Sequence, residues 1–324
     1  MTKVLDSTEH PVLVHSKHLI RIDALDSLGL RANGGLFEPE ETALCKQLIH
    51  SGDRVLDIGA NIGYYTLLFC DLAYPNGLVA AIEPDSNNFE ILKNNLRKQT
   101  ADGIVSLHQL GLGNKEQKAQ LFRAEENTGM HRMYASVCCG TESSEVSVIR
   151  GDSLALAPLD FIKIDIEGYE PFALQGLCST LKQSPKLKIL CEFSPLSLLE
   201  AGYSPVLFLQ EMHDLGFYLV AQEQQIWKQT DYHEIVEALQ RIPASAIAEF
   251  ESSLRHADGN QAIAEKGMSF LRQHAYHRPI LENLLFVAPD AWQSVCKTLN
   301  IKPDIQSHKW LRRFGKLIRS KLWA

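Results

Sequence analysis

Apolar positions in the first 230 residues fall into short continuous runs separated by longer stretches with helical spacing, which predicts strands and helices in turn. Val55, Leu56 and Ile58 read as one buried strand, fed by a turn at Gly52 and Asp53, and residues 77–82 read as a second. Further strands are expected over 105–110, 161–166, 187–193 and 218–221, with helices over 64–72, 85–97, 171–181 and 206–215. Residues 283–287, Asn-Leu-Leu-Phe-Val, supply a last strand and bring the sheet to seven. Alternation at this pitch builds an α/β fold, a mostly parallel sheet doubly wound by helices on both faces. Short strands over 120–123 and 145–150 flank a loop rich in Gly, Asn and Ser.

The flanks are patterned differently. A hairpin is expected from 18–22 and 29–31, followed by a helix opening at Glu38-Pro39-Glu40-Glu41, where proline and acids suit the first turn. Three helices, over 231–241, 244–255 and 261–274, interrupt the order before the last strand. The expected division is a hairpin-and-helix cover over 1–50, a main domain over 51–228 and 278–290, a helical insertion over 229–277 acting as cap or prop, and a tail over 291–324. The tail is basic and amphipathic. Lys309, Arg312, Arg313, Lys316, Arg319 and Lys321 face an apolar arc containing Trp310, Leu311 and Phe314, a pattern that suits either a membrane surface or a packed final helix.

Composition narrows the classes. A chain of 324 residues with 45% hydrophobic residues can bury a full core. The formal net charge of −7 argues against nucleic acid as the main partner. Seven cysteines, odd in number and with no C-x-x-C pair, read as reduced thiols. With no signal-peptide pattern and no run of about 18 apolar residues, the expectation is a cytoplasmic protein, at most peripheral at the inner membrane surface. Monomer and homo-oligomer both stay open.

Candidate chemistry begins at the turn after the first strand, Asp57-Ile58-Gly59-Ala60-Asn61-Ile62-Gly63-Tyr64. Strand, glycine turn and helix N-terminus form a site for an adenosine-type ligand. The turn lacks the G-x-G of a dinucleotide fingerprint, which disfavours a nicotinamide oxidoreductase, and its acid suits a ligand carrying an ammonium group. Glu83, ending the second strand with Pro84 beside it, is placed to accept hydrogen bonds from two ribose hydroxyls. Asp57 and Glu83 are expected to open onto one pocket, with Asn114 near the adenine. In the strand over 161–166, Lys163 faces the same way as Asp165 and must find a carboxylate. His131 and His213 are isolated and either could serve as a catalytic base, although His213 sits in a helix and reads as structural. His274 and His277 have a spacing that a helix could turn into two metal ligands, with surface histidines the plainer reading.

The turn Asp-Ile-Gly-Ala-Asn-Ile-Gly-Tyr-Tyr-Thr resembles motif I of class I S-adenosylmethionine (SAM) methyltransferases in its FkbM-type variant. So does Lys163-x-Asp165-x-Glu167-Gly168-x-Glu170. With Phe37-Glu38-Pro39-Glu40-Glu41 and the 283–287 strand, the resemblance covers about 18–225 and 280–290, leaving out the insertion and the tail. It implies a Rossmann-like methyltransferase fold, SAM as methyl donor, and a sugar, polysaccharide or glycosylated natural product methylated on a hydroxyl oxygen. Asp57, Gly59, Ala60, Asn61, Gly63, Tyr64, Glu83, Pro84 and Asn114 become candidate cofactor contacts. Asp165, Glu167 and Glu192 become the candidate catalytic acids. If the fourth and fifth strands are neighbours, Asp165 and Glu192 share a cleft, and three roles stay open: a general base, ligands to Mg²⁺, or Glu192 pairing with Lys163. A methyltransferase for a non-sugar small molecule is one alternative, and a non-catalytic SAM-binding or membrane-attached module is the rival from another class.

Overall fold

The computed structural model describes residues 11–23, 26–124, 127–136, 139–156, 158–223, 225–240 and 283–303, with the single positions 252, 266 and 269. Two helices of the expected insertion, His274, His277 and the basic tail over 305–324 lie outside the described residues.

The chain opens with a hairpin of β1 (Val12–Val14) and β2 (His18–Ile20). This corrects the expected pairing of 18–22 with 29–31. The Asp26 carboxylate accepts the amides of Leu30 and Arg31, both at 2.8 Å, so that stretch folds into turns. After α1 (Pro39–Leu48) come β3 (Arg54–Ile58), α2 (Tyr64–Ala73), β4 (Leu78–Ile82), α3 (Ser86–Asn95), α4 (Arg97–Ala101) and β5 (Val105–His108). A second, three-stranded sheet follows, in the order β6 (Gly111–Leu112), β8 (Ser143–Ile149), β7 (Gln117–Phe122). The chain then returns through β9 (Phe161–Ile164), α5 (Glu170–Gly176), α6 (Cys178–Lys182), β10 (Lys188–Cys191), α7 (Pro195–Glu200) and α8 (Pro205–Asp214). It finishes with β11 (Tyr218–Glu223), β12 (Ile226–Gln229), α9 (Tyr232–Gln240), β13 (Leu284–Val287) and α10 (Trp292–Thr298).

The main sheet runs β12-β11-β13-β10-β9-β3-β4-β5. The five strands from β10 to the β5 edge are parallel, and β13 is antiparallel to both neighbours. It has one strand more than the expected seven, because the chain doubles back after β11, with Gln225 at φ 63°, and pairs β12 along the edge. The strand period of two divides the core. Leu56, Ile58, Ile82, Ile162, Ile164 and Phe286 pack on one face of the sheet with Leu174, Leu177 and Phe208. Val55, Ala81, Phe161 and Leu285 pack on the other with Leu44, Leu67 and Trp292. Helix starts follow local chemistry: the Asp85 carboxylate caps the amides of Asn87 and Asn88, and Ser204 caps Leu207 ahead of Pro205.

The topology reverses direction at β3 and β9. β4 and β5 are reached on one side of β3, while β9 and β10 lie on the other. The carboxyl ends of these strands therefore converge on a crevice, the place where ligands bind in open α/β sheets.

Candidate active site

At the end of β3 the chain turns through Gly59 (φ 85°), Asn61 (φ 49°) and Gly63 (φ 95°) into α2. A Cβ on Gly59 would stand 2.0 Å from the Asp165 carbonyl oxygen, and one on Gly63 would stand 2.8 Å from Leu92 Cδ1. Glycine at 59 therefore admits the neighbouring strand end, not a ligand. The turn is tied to β4: the Gly59 and Ala60 amides donate to the Ile82 carbonyl at 3.0 and 2.9 Å. The Asn61 amide donates to Glu83 Oε2 at 2.9 Å, and the Asp85 amide donates to Glu83 Oε1 at 2.8 Å. Burial lifts the Glu83 carboxyl to about 8 despite these bonds.

The crevice has two lobes that share Gly59, Asn61, Gly129 and Asp165 as their waist. The narrow lobe, about 60 Å³, lies against Glu83, Pro84, Gly111, Leu112, Met133 and Tyr169. The wide lobe, about 380 Å³, is lined by Phe37, Glu38, Tyr64, Tyr65, Met130 and Phe193, and by Lys163, Asp165, Glu167 and Glu192. The turn Thr128–Met130 reaches both lobes from the loop between β7 and β8. The Thr128 hydroxyl donates to Asp23 Oδ2 at 2.8 Å, which anchors that loop to the N-terminal segment.

Lys163 is 3% exposed in the middle of β9, a position that would be costly without partners. Its Nζ donates to Asp165 Oδ2 at 2.8 Å and lies 4.6 Å from the centre of the Tyr65 ring. Burial alone would lower its pKa, yet the carboxylates of Asp165, Glu38 and Asp57 together raise it above the ordinary value. Its ion-pair partner is thus Asp165, not Glu192. Past β9 the turn is folded onto the Glu170 carboxylate, which accepts the Ile166 and Gly168 amides at 3.0 and 3.1 Å. Glu167, at φ 56°, points its carboxylate to Arg132 Nη2 at 2.9 Å, while its amide donates to Glu192 Oε2 at 3.2 Å. Arg132 also donates through Nη1 to Glu200 Oε2 at 2.7 Å, joining the loop, the β9 turn and α7.

The three acids expected to be catalytic, Asp165, Glu167 and Glu192, are thus brought together, each offering an oxygen within 4.8 Å of the others. Burial, then Glu167, Asp165 and Glu170, hold Glu192 well above the usual carboxylate range, and burial raises Glu167 against the pull of Arg132. Three oxygen donors are a hard set that could hold Mg²⁺, although Lys163 and Arg132 already neutralise two of them.

Of the candidate cofactor contacts, Gly59, Ala60, Asn61, Tyr64, Glu83 and Pro84 line the crevice. Asp57, Gly63 and Asn114 do not. Asp57, 1% exposed, faces the α2 side of the sheet, where the Thr66 hydroxyl donates to it at 2.6 Å. It shares no cavity with Glu83, because the strand period turns residue 57 to the α2 face of the sheet, away from the narrow lobe. Asn114 bonds Gln175 instead, since β5 stops at His108 and Gly111–Leu112 move into the second sheet to form the wall expected at Asn114. Glu38, Tyr65, Arg132, Asn127 and Asn283 escaped the sequence reading as site residues. Arg132 stood alone in an irregular loop, and Glu38 read as a helix-start acid.

A family model described as the methyltransferase FkbM domain matches residues 57–219, half of the chain. Among solved structures, a methyltransferase FkbM from Methylobacillus flagellatus KT is similar at 22% identity and a TM-score of 0.37. That match covers 54% of this chain and 41% of that one, so the chain spans less than half of that relative's length. A SAM-dependent methyltransferase from Aquifex aeolicus matches at 17% identity and a TM-score of 0.34, covering 57% of this chain and 81% of that one. The O-methyltransferase TomG from Streptomyces achromogenes, involved in tomaymycin synthesis and solved in complex with SAM, matches at 16% identity and a TM-score of 0.31. It covers 56% of this chain and 70% of that one. No curated protein matches. From the acid before the glycine turn to the strand that follows α8, the sequence is that of one family, and the chain belongs to the methyltransferase FkbM domain family.

Proposed function

We propose that the protein is a SAM-dependent methyltransferase acting on a hydroxyl oxygen, with a sugar, polysaccharide or glycosylated natural product as acceptor. The observation that carries this reading is the two-lobed crevice at the sheet's carboxyl edge, with Glu83 in the narrow lobe and four carboxylates in the wide one. In this reading the ribose end of the donor meets Glu83 in the narrow lobe. Glu83 has both oxygens aligned by backbone amides and keeps lone pairs for ribose hydroxyls. The Asn61 side-chain oxygen, buried at the waist without a partner among the described residues, is a further acceptor for a polar ligand group. When bound, SAM supplies a methyl group on a positively charged sulfur. Among the described residues the acids lining the wide lobe outnumber the lining cation, Lys163, a set that suits a cationic ligand better than a phosphate-bearing one.

The protein's own residues then position the reactants. The Thr128–Met130 turn, anchored to Asp23, forms part of the wall of both lobes. Asp165 at the waist and Glu192 in the wide lobe hold the acceptor, and such positioning supplies much of the rate in a displacement reaction. The test is transfer of labelled methyl from SAM to glycan fractions by wild type, Asp165→Asn and Glu192→Gln. Both variants are expected to fall by about tenfold or more; equal activity in all three would remove the two acids from the mechanism. The 4.8 Å clustering of Asp165, Glu167 and Glu192 favours a second reading, a divalent ion orienting the acceptor. Loss of transfer in EDTA, restored by Mg²⁺, would establish it, and an unchanged rate would discard it.

A further inference from the structure

Part of the wide lobe is built by residues outside the matched domain. Ser27, Leu28, Phe37 and Glu38 come from the segment ahead of α1, before residues 57–219 begin. Glu38 sits at the N-cap of α1, yet its side chain makes no capping bond. Its backbone lies at φ 41°, ψ 73°, a left-handed conformation uncommon for a glutamate and contrary to the extended preference of a residue before proline. Strain of this kind persists only where surrounding contacts hold it, and it gathers at functional sites. Here the Tyr65 hydroxyl donates to Glu38 Oε2 at 2.8 Å, and the Tyr65 ring rests against the Lys163 ammonium. The carboxylate is thereby turned away from its helix and into the cavity.

The other three acids of the lobe are engaged differently. Asp165 is paired with Lys163, Glu167 with Arg132, and Glu192 accepts the Glu167 amide among like charges. We propose that Glu38 takes the acceptor's hydroxyl proton as the methyl group is transferred. This rests on the methyltransferase reading above. The acceptor oxygen forms a bond to the methyl carbon of the sulfonium donor while the carbon–sulfur bond breaks and leaves its electron pair on sulfur. The proton of that hydroxyl passes to Glu38, which releases it to water after the products leave. The groups facing Glu38 are Lys163 and Asp165 from the β9 end, Tyr65 from α2 and Glu41 from α1. Burial is the largest influence, and against the opposing pull of Lys163 it lifts Glu38 to about 7, where a carboxyl both accepts and returns a proton near neutrality.

The experiment uses the full chain, wild type beside Glu38→Gln and Tyr65→Phe. The amide of Glu38→Gln keeps an oxygen for the Tyr65 hydroxyl, so the local fold is retained. Calorimetry measures affinity for S-adenosylhomocysteine, then the binding of methyl α-D-glucopyranoside, -mannopyranoside and -galactopyranoside to that complex. Labelled SAM then reports kcat against pH with the same three neutral glycosides. Expected for Glu38→Gln are both affinities within about threefold of wild type, kcat lower by about 100-fold or more, and loss of the acidic limb of the pH profile. Tyr65→Phe is expected to displace that limb and keep turnover. A Glu38→Gln enzyme with wild-type kcat and an unchanged limb overturns the role of Glu38 and leaves the methyltransferase reading intact. Absence of S-adenosylhomocysteine binding, or of transfer by wild type to any of the three glycosides, overturns both.

Discussion

Lys163 shows how much one residue can reveal before any coordinates exist. A lysine in an apolar parallel strand has to be compensated, and its own pattern, Lys-x-Asp, held the partner two positions on. The alternative partner, Glu192, was equally reasonable from sequence, because the distance between strand ends depends on where each strand stops. Replacing Lys163 by Met would leave Asp165, Asp57 and Glu38 facing one another without a cation, and is expected to destabilise the protein by about 3–5 kcal/mol in urea unfolding. A change under about 1 kcal/mol would mean that these acids are compensated by something other than Lys163. Asp57 teaches the opposite lesson. Its place in the motif suggested a ligand contact, whereas the pleat sends its side chain under the sheet to Thr66.

At the level of elements, the glycine turn carries two demands that look alike in sequence. Gly59 and Gly103 both have positive φ, 85° and 72°. Around Gly103 a Cβ would meet nothing within 4 Å, while at Gly59 it would strike the Asp165 carbonyl at 2.0 Å. Gly103→Ala is therefore expected to lose only about 1–2 kcal/mol of stability to the left-handed backbone. Gly59→Ala must also push β9 from β3, so its unfolding free energy is expected to fall by clearly more than that, with loss of S-adenosylhomocysteine binding. Equal losses in the two variants would show that the approach of β9 to the turn is not what glycine serves there. The central strands and their helices were legible because their apolar runs have a fixed period. The hairpin partner and the edge strand β12 were not, since short half-exposed strands carry little periodicity.

Across the whole molecule, the acid-rich crevice couples stability to pH. Burial above all lifts Asp57 to about 6, Glu38 and Glu170 to about 7 and Glu83 to about 8. Unfolded, such groups titrate near 4. Between those limits the folded chain holds protons that the unfolded chain has released, so this contribution to stability is present in acid and lost as pH rises to about 8. His15, His108 and His131, lowered by burial, act in the opposite sense near pH 6.5. The carboxyl displacements are the larger, and the Tm of the ligand-free protein is expected to fall by roughly 5 °C or more between pH 5 and pH 8. A Tm that climbs across that interval would contradict the raised carboxyls. Sequence alone determined the doubly wound sheet, the glycine turn and the acids at the strand ends, because periodicity and turn chemistry are local and survive without neighbours. Only the tertiary structure decided which of those acids share a cavity, that Glu38 belongs to it with Arg132 bracing Glu167 behind it, and that Asp57 does not. Strand endpoints, pleat direction and the return of distant loops set those distances, and none of them is written within a single element.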